Sequence, residues 1–102
     1  MQSHFYESLA AVYDALGDYS KVRESYQQAL KVTPQRSVEM TNWLTQSVAT
    51  QPSPARYVQL GILLQETGRL PEARAAYEQA LKLDPNQTEP KEFLNNLAQN
   101  KN

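Results

Sequence analysis

The sequence of 102 residues contains no cysteine and only one histidine, which excludes several kinds of site. Without cysteine the chain has no disulfide bridge, no thiolate nucleophile and no cysteine-ligated zinc. The histidine, His4, has Glu7 one helical turn further on, but such pairs are common on solvated helix surfaces. No phosphate-binding glycine loop or second acid–base pair accompanies them. We therefore predict that the chain is not an enzyme and needs neither a cofactor nor a metal.

The chain also lacks an excess of charge of one sign and any long apolar run. Ten basic and eleven acidic residues are mixed along it and leave a formal net charge of -1. The basic residues between Lys21 and Arg36 are interrupted by Glu24, and nucleic-acid binding calls for clustered basic residues with stacking aromatics. A membrane helix needs about 18 apolar residues, and a signal peptide needs a basic start followed by an apolar segment. We predict no nucleic-acid or membrane partner and a soluble, cytoplasmic protein, whether complete or part of a longer parent.

Glycine is scarce and strand-like alternation is missing, so the local preference of the sequence is helical. Serine, threonine or proline recurs at helix starts about every 17 residues, and Gly17, Gly68 and further prolines mark helix ends. The pattern predicts six helices, near 3–16, 20–33, 37–50, 54–67, 71–84 and 88–99. Connections of a few residues make neighbouring helices antiparallel.

The most informative pattern is a repeat at a distance of 51 residues, in which small, aromatic and helix-ending residues recur at the same offset. The first copy contains Tyr6, Leu9, Gly17, Tyr26, Gln28, Ala29, Leu30, Lys31 and Pro34. The second contains Tyr57, Leu60, Gly68, Tyr77, Gln79, Ala80, Leu81, Lys82 and Pro85. Internal repeats define an architecture before any local feature is considered. The recurring residues pack and end helices, so the pattern indicates a binding module.

Each copy resembles a tetratricopeptide repeat. In the second copy the resemblance is carried by Tyr57, Leu60, Gly61, Leu64, Gly68, Ala73, Tyr77, Ala80 and Pro85. In the first it is carried by Tyr6, Leu9, Ala10, Tyr13, Gly17, Asp18, Tyr19, Tyr26, Ala29 and Pro34. It implies an all-α fold of antiparallel helix hairpins stacked as an α-solenoid, formed as one domain over residues 1–102. We place repeat 1 at 3–36 and repeat 2 at 54–87. Gly61 is expected to let the second helix of its pair approach closely.

A single helix at 37–53 lies between the repeats, where this family would place two, and it is therefore out of phase. Its apolar stripe of Met40, Trp43, Leu44 and Val48 must be covered. Two alternatives stay open. In the first, the stripe is core between the repeats. In the second, the odd helix breaks the superhelix or forms an interface with another chain through Met40, Trp43 and Leu44. The phase shift predicts a kinked stack or an exchange of units between chains. Residues 88–102 resemble the helix that closes such arrays.

The resemblance also implies that a peptide lies on the concave face. The inward positions carried onto this chain are His4, Glu7, Ala11 and Asp14 in repeat 1, and Val58, Ile62, Gln65 and Glu66 in repeat 2. We expect Val58 and Ile62 either to offer apolar contact or to be covered by the middle helix or another copy. The acids favour a neutral or basic partner. Exchanging Ile62 for lysine is expected to abolish the contact without unfolding the helix pair.

These residues therefore predict a non-catalytic scaffold or interaction module that binds a protein or peptide segment in the concave face. The alternative is self-assembly, as a homo-oligomer or by domain swapping, or a spacer role within a larger repeat protein. An accessible Val58 and Ile62 face favours the first function. An apolar face around Trp43 that is buried only between chains favours the second.

Overall fold

The computed structural model describes residues 9, 12, 19–87 and 89–99, and this part of the chain forms five helices. Their bounds lie within one residue of the predictions at each end. The first predicted helix, 3–16, falls outside the described residues except for Leu9 and Val12, which are helical. The helices are α1 Tyr19–Val32, α2 Arg36–Thr50, α3 Pro54–Glu66, α4 Leu70–Leu83 and α5 Glu89–Gln99.

Local signals explain both ends of α3. Ser53 has an extended backbone and its hydroxyl accepts a 3.1 Å hydrogen bond from the Arg56 amide, while proline occupies the first helical position. At the other end Gly68 adopts a φ of 82°, and the amides of Gly68 and Arg69 bond back to the carbonyls of Gln65 and Leu64. These two bonds with a left-handed glycine are a Schellman motif. The predicted roles of serine and glycine here are confirmed.

Helix α3 is the centre of the structure because α1, α2 and α4 all pack against it. The seven consecutive residues 58–64 are all buried. Since one helical turn takes about 3.6 residues, seven consecutive residues point in every direction around the axis. Helix α3 therefore has no exposed apolar side in its middle, and it contributes more to the core than any other described helix.

The contact between α3 and α4 is unusually close at Gly61. A Cβ atom added to this glycine would lie 2.5 Å from Cε1 of Tyr77, so no other residue fits without moving the ring. The Tyr77 ring is fully buried and stacks on Phe93 of α5, with ring centroids 5.2 Å apart. One tyrosine thus connects three helices, and the expected close approach at Gly61 is present.

The middle helix α2 does not separate the two repeats, because α1 contacts α3 directly and α2 packs on α3 as well. Met40, Leu44 and Val48 are buried as predicted, but Trp43 is 64% exposed. The interpretation of Trp43 as core is therefore wrong. Successive residues are about 100° apart on a helix, and Trp43 lies more than about 100° from the centre of the buried face. Thr41 takes the fourth buried position. The exchange of units between chains stays a prediction.

Candidate functional site

The predicted groove is closed in the second repeat. Val58 is completely buried and Ile62 is 1% exposed, so neither side chain is available to a peptide. Of the two alternatives, the structure supports coverage by helices of the same chain. Glu7, Ala11 and Asp14, with His4, lie outside the described residues, and their proposed role in binding stays a prediction.

The two polar residues at the end of α3, Gln65 and Glu66, are engaged within the protein. The Glu66 carboxylate accepts a 2.6 Å hydrogen bond from Nε of Arg23 and a 3.0 Å bond from the amide of Gln27, both on α1. The Tyr77 hydroxyl donates a 2.8 Å hydrogen bond to Oε1 of Gln65. These bonds join α1, α3 and α4 at one end of the molecule. Both residues therefore hold helices together before any ligand is considered.

Burial raises the pKa of the Tyr77 phenol well above its ordinary value. The positive charge of Arg23 opposes this shift and the Glu66 carboxylate adds to it, but both effects are smaller than that of burial. The folded state therefore retains this proton more tightly than the unfolded chain does. This contribution to stability is complete below pH about 10, the pKa of an unperturbed tyrosine, and is lost as the pH rises beyond it.

We expect the free energy of unfolding of the unaltered protein to fall more steeply above pH about 10 than that of a Tyr77→Phe variant, which has no phenol to ionise at this position. Urea unfolding followed by circular dichroism between pH about 8 and 11 measures both slopes. The remaining tyrosines are common to both proteins and cancel in the difference. Identical slopes would contradict the assignment.

A polar contact anchors α2 on α3: the guanidinium of Arg56 donates a hydrogen bond to the Ser47 hydroxyl. Together with the buried side chains of Met40, Leu44 and Val48, this bond defines which side of α2 faces outward. Met40 and Leu44 are consequently buried within this chain, and a role for them in an interface between chains stays a prediction. Of the three candidate interface residues, only Trp43 is accessible.

The accessible side of α2 has an unusual composition. No charged residue occurs between Glu39 and Arg56, although charged residues make up 21% of the chain. We define the Trp43 surface by the exposed residues Val38, Asn42, Trp43, Gln46 and Ala49. Trp43 and Val38 are the two most exposed large apolar side chains of the described residues, at 64% and 65%. The surface therefore combines an accessible tryptophan with mostly uncharged neighbours. The exception is Glu39, which is exposed one turn before Trp43 on the same side of α2.

Both properties are typical of the centre of a protein–protein interface. Interface centres are depleted in charged residues and enriched in aromatic ones, and tryptophan is prominent among the residues that dominate binding energy. The helix beneath is held by core packing and by the Arg56–Ser47 bond, so the tryptophan is presented on a fixed element. The uncharged run between Glu39 and Arg56 was visible in the sequence and is the signal that sequence reasoning missed.

Two further features, a metal site and a membrane-spanning helix, are absent from the described residues. No group of three or more histidine, aspartate or glutamate side chains there is arranged to hold a metal ion. In the same part of the chain, none of the helices is both long enough and apolar enough to span a bilayer.

Comparison with known proteins gives two family matches and matches among solved structures. Two models described as tetratricopeptide repeat match the chain, at residues 54–87 and at residues 3–36. These are the two repeats predicted from the sequence, and together they cover two thirds of it. Among solved structures the chain is similar to the NMR structure of the first TPR domain of the human RPAP3 protein. The identity is 19%, over 96% of this chain and 91% of that one, with a TM-score of 0.46. No curated protein matches in a sequence search.

Proposed function

Because the chain belongs to the tetratricopeptide repeat family, whose repeats are generally non-catalytic protein–protein interaction modules, we propose that it binds a partner protein through the Trp43 surface. The observation that carries this proposal is the contrast between Trp43, which is exposed on a packed helix, and Val58 and Ile62, which are buried. A partner that used the groove of the second repeat would have to displace core side chains. A partner that used the Trp43 surface would find its anchor already accessible.

The chemistry of the surface defines the partner. An exposed indole gains most from an apolar pocket that removes it from water, and its neighbours offer amide groups and a single carboxylate, that of Glu39. The partner therefore presents an apolar recess for the indole, with at most one basic group beside it to meet Glu39. Association of this kind depends only weakly on salt, because screening acts on charged groups. One face of a helix of 15 residues is a small contact area, and affinity in the micromolar range, about 8 kcal/mol, is expected.

We expect Trp43→Ala to remove the partner without unfolding the protein. The tagged chain is used to capture proteins from the source cells, and recovered proteins are quantified by mass spectrometry for the unaltered chain and for Trp43→Ala. A true partner is depleted at least about tenfold with the variant, because tryptophan hot spots contribute about 2 kcal/mol or more. Val32→Ala is the matched control, since Val32 is an exposed apolar residue on α1.

Loss of the same proteins with Val32→Ala would show that the effect is not specific to the Trp43 surface. Equal recovery with Trp43→Ala would contradict the proposal and would favour binding through Glu7, Ala11 and Asp14 instead. Capture in low and in high salt adds a second criterion, because a contact with an uncharged surface persists at high salt.

Self-association is the second candidate function, and the low charge of the Trp43 surface favours it. Two copies facing each other there meet only the single charge of Glu39 from each copy, and like charges across an interface oppose assembly when they are numerous. Light scattering coupled to size-exclusion chromatography distinguishes the two functions. A dimer that becomes a monomer on Trp43→Ala supports self-association, and a monomer at all micromolar concentrations contradicts it.

A further inference from the structure

The second helices of the two repeats, α1 and α4, differ in burial at only two positions. Both helices have 14 residues and lie 51 residues apart in the sequence, so each residue of α1 has a counterpart in α4. Buried, half-buried and exposed residues follow the same order in both, with two exceptions. Tyr19 is buried while Leu70 is 39% exposed, and Arg23 is half-buried while Arg74 is exposed.

The two exceptions lie one turn apart on the same side of each helix, and on α1 the end of α3 contacts this side at Arg23. The carboxylate of Glu66, in the last turn of α3, binds Nε of Arg23 at 2.6 Å and the amide of Gln27 at 3.0 Å. On α4 the counterparts are Arg74 and Glu78. Both are exposed, and within the described part of the chain no hydrogen bond or ion pair engages either. Helix α4 thus has an arginine equivalent to Arg23, but no carboxylate equivalent to Glu66 binds it.

The closing helix α5 leaves this side of α4 uncovered. It packs on α4 through Phe93, which stacks on Tyr77, and through Leu97, which is buried. Leu70 and Arg74 are nevertheless exposed after α5 has packed. The uncovered side therefore offers one apolar residue, one cation and one anion along successive turns.

We propose that Leu70, Arg74 and Glu78 form a docking surface for a helix of a partner protein that presents a carboxylate in its last turn. The occupant is defined by the chain's own α3, whose last residue, Glu66, binds the equivalent positions of α1, Arg23 and Gln27. An apolar residue of the partner covers Leu70, and its carboxylate pairs with Arg74 as Glu66 pairs with Arg23. On α1 the Gln27 amide donates a hydrogen bond to the carboxylate, but its counterpart on α4, Glu78, can only accept one. The partner therefore also carries a basic group beside its carboxylate, to pair with Glu78. This surface is distinct from the Trp43 surface.

A synthetic peptide is a direct probe of this surface. A fluorescein-labelled peptide with the sequence of residues 53–68 contains α3 with its terminal glutamate, and its binding to the whole chain is measured by fluorescence polarisation. We expect saturable binding that Arg74→Glu weakens about tenfold. A peptide with Glu66→Arg restores binding to the Arg74→Glu variant. Glu78→Gln, which reproduces Gln27, tightens binding of the unaltered peptide severalfold.

Charge-matched variants locate the peptide. Lys82→Glu makes the same change of charge as Arg74→Glu at an exposed position in the last turn of α4. We expect it to leave binding unchanged. Trp43→Ala also leaves it unchanged, so failure of this proposal and failure of the proposed function are separate results. Thermal unfolding by circular dichroism confirms that each variant is folded.

Four results would overturn the proposal: no saturable binding, binding that is insensitive to Arg74→Glu, binding that is lost on Arg23→Glu instead, or no rescue by the reversed peptide. Sedimentation of the unaltered chain is a further test. Self-association that Arg74→Glu abolishes would show that a second copy occupies the surface, and would overturn the assignment to a different partner.

Discussion

Replacing Ile62 by lysine is expected to reduce the free energy of unfolding by about 4 kcal/mol or more, enough to unfold a small domain. Ile62 is 1% exposed on a helix that is surrounded by α1, α2 and α4. A lysine there loses the packing of isoleucine and leaves an ammonium group without water or a counterion. This expectation replaces the one drawn from the sequence, in which the same change was to abolish binding and leave the helix pair folded.

Urea unfolding monitored by circular dichroism measures the effect. Val38→Lys is the matched control because it introduces the same side chain on α2 at a position that is 65% exposed. Its free energy of unfolding should stay within about 0.5 kcal/mol of that of the unaltered protein. If Ile62→Lys unfolds at the same urea concentration as the control, Ile62 is accessible and the groove of the second repeat is open after all.

The Leu44→Ala variant is expected to lose about 3 kcal/mol of stability, whereas Trp43→Ala, one residue earlier, should lose less than about 1 kcal/mol. Leu44 is 2% exposed between α2 and the rest of the core, so its truncation leaves a cavity. Trp43 is the larger side chain, but 64% of it is already in water and little packing is lost. The order of the two effects is thus opposite to the order of side-chain size.

Thermal and urea unfolding of both variants tests this order. Leu44→Met serves as the control, since a change that conserves volume in a core usually costs less than about 1.5 kcal/mol. A larger loss for Trp43→Ala than for Leu44→Ala would mean that the indole is packed and that the Trp43 surface does not exist as described. The same pair of variants also shows whether loss of a partner reflects contact or misfolding.

The helices and the family were predictable because their signals are local. Ser53 and Gly68 act through their own hydrogen bonds and backbone angles, and such requirements are visible at one position in a sequence. The close approach at Gly61 was also predictable, because the large partner Tyr77 lies in the same repeat. Contacts within a helix pair depend only on a short connection, and the pattern of one repeat describes them.

The site was predicted less well because it depends on how separate pairs meet. Whether Val58 and Ile62 line a groove or a core is decided by the helices that surround α3, and α1 and α2 come from earlier parts of the chain. The periodic pattern of α2 correctly gave Met40, Leu44 and Val48 as buried. The pattern does not define the rotation of α2 about its axis precisely enough to show that Trp43, at the margin of the stripe, lies outside the core.

The central position of α3 also has a consequence for how the protein unfolds. In an ideal repeat array each unit contacts only its neighbours, so stability is distributed along the chain and the ends can open separately. Here one helix contacts α1, α2 and α4, and its last turn is bonded to two of them through Glu66 and Gln65. Opening either side removes contacts that the other side needs. We therefore expect the described helices to unfold cooperatively, as one thermodynamic unit rather than as two repeats in series.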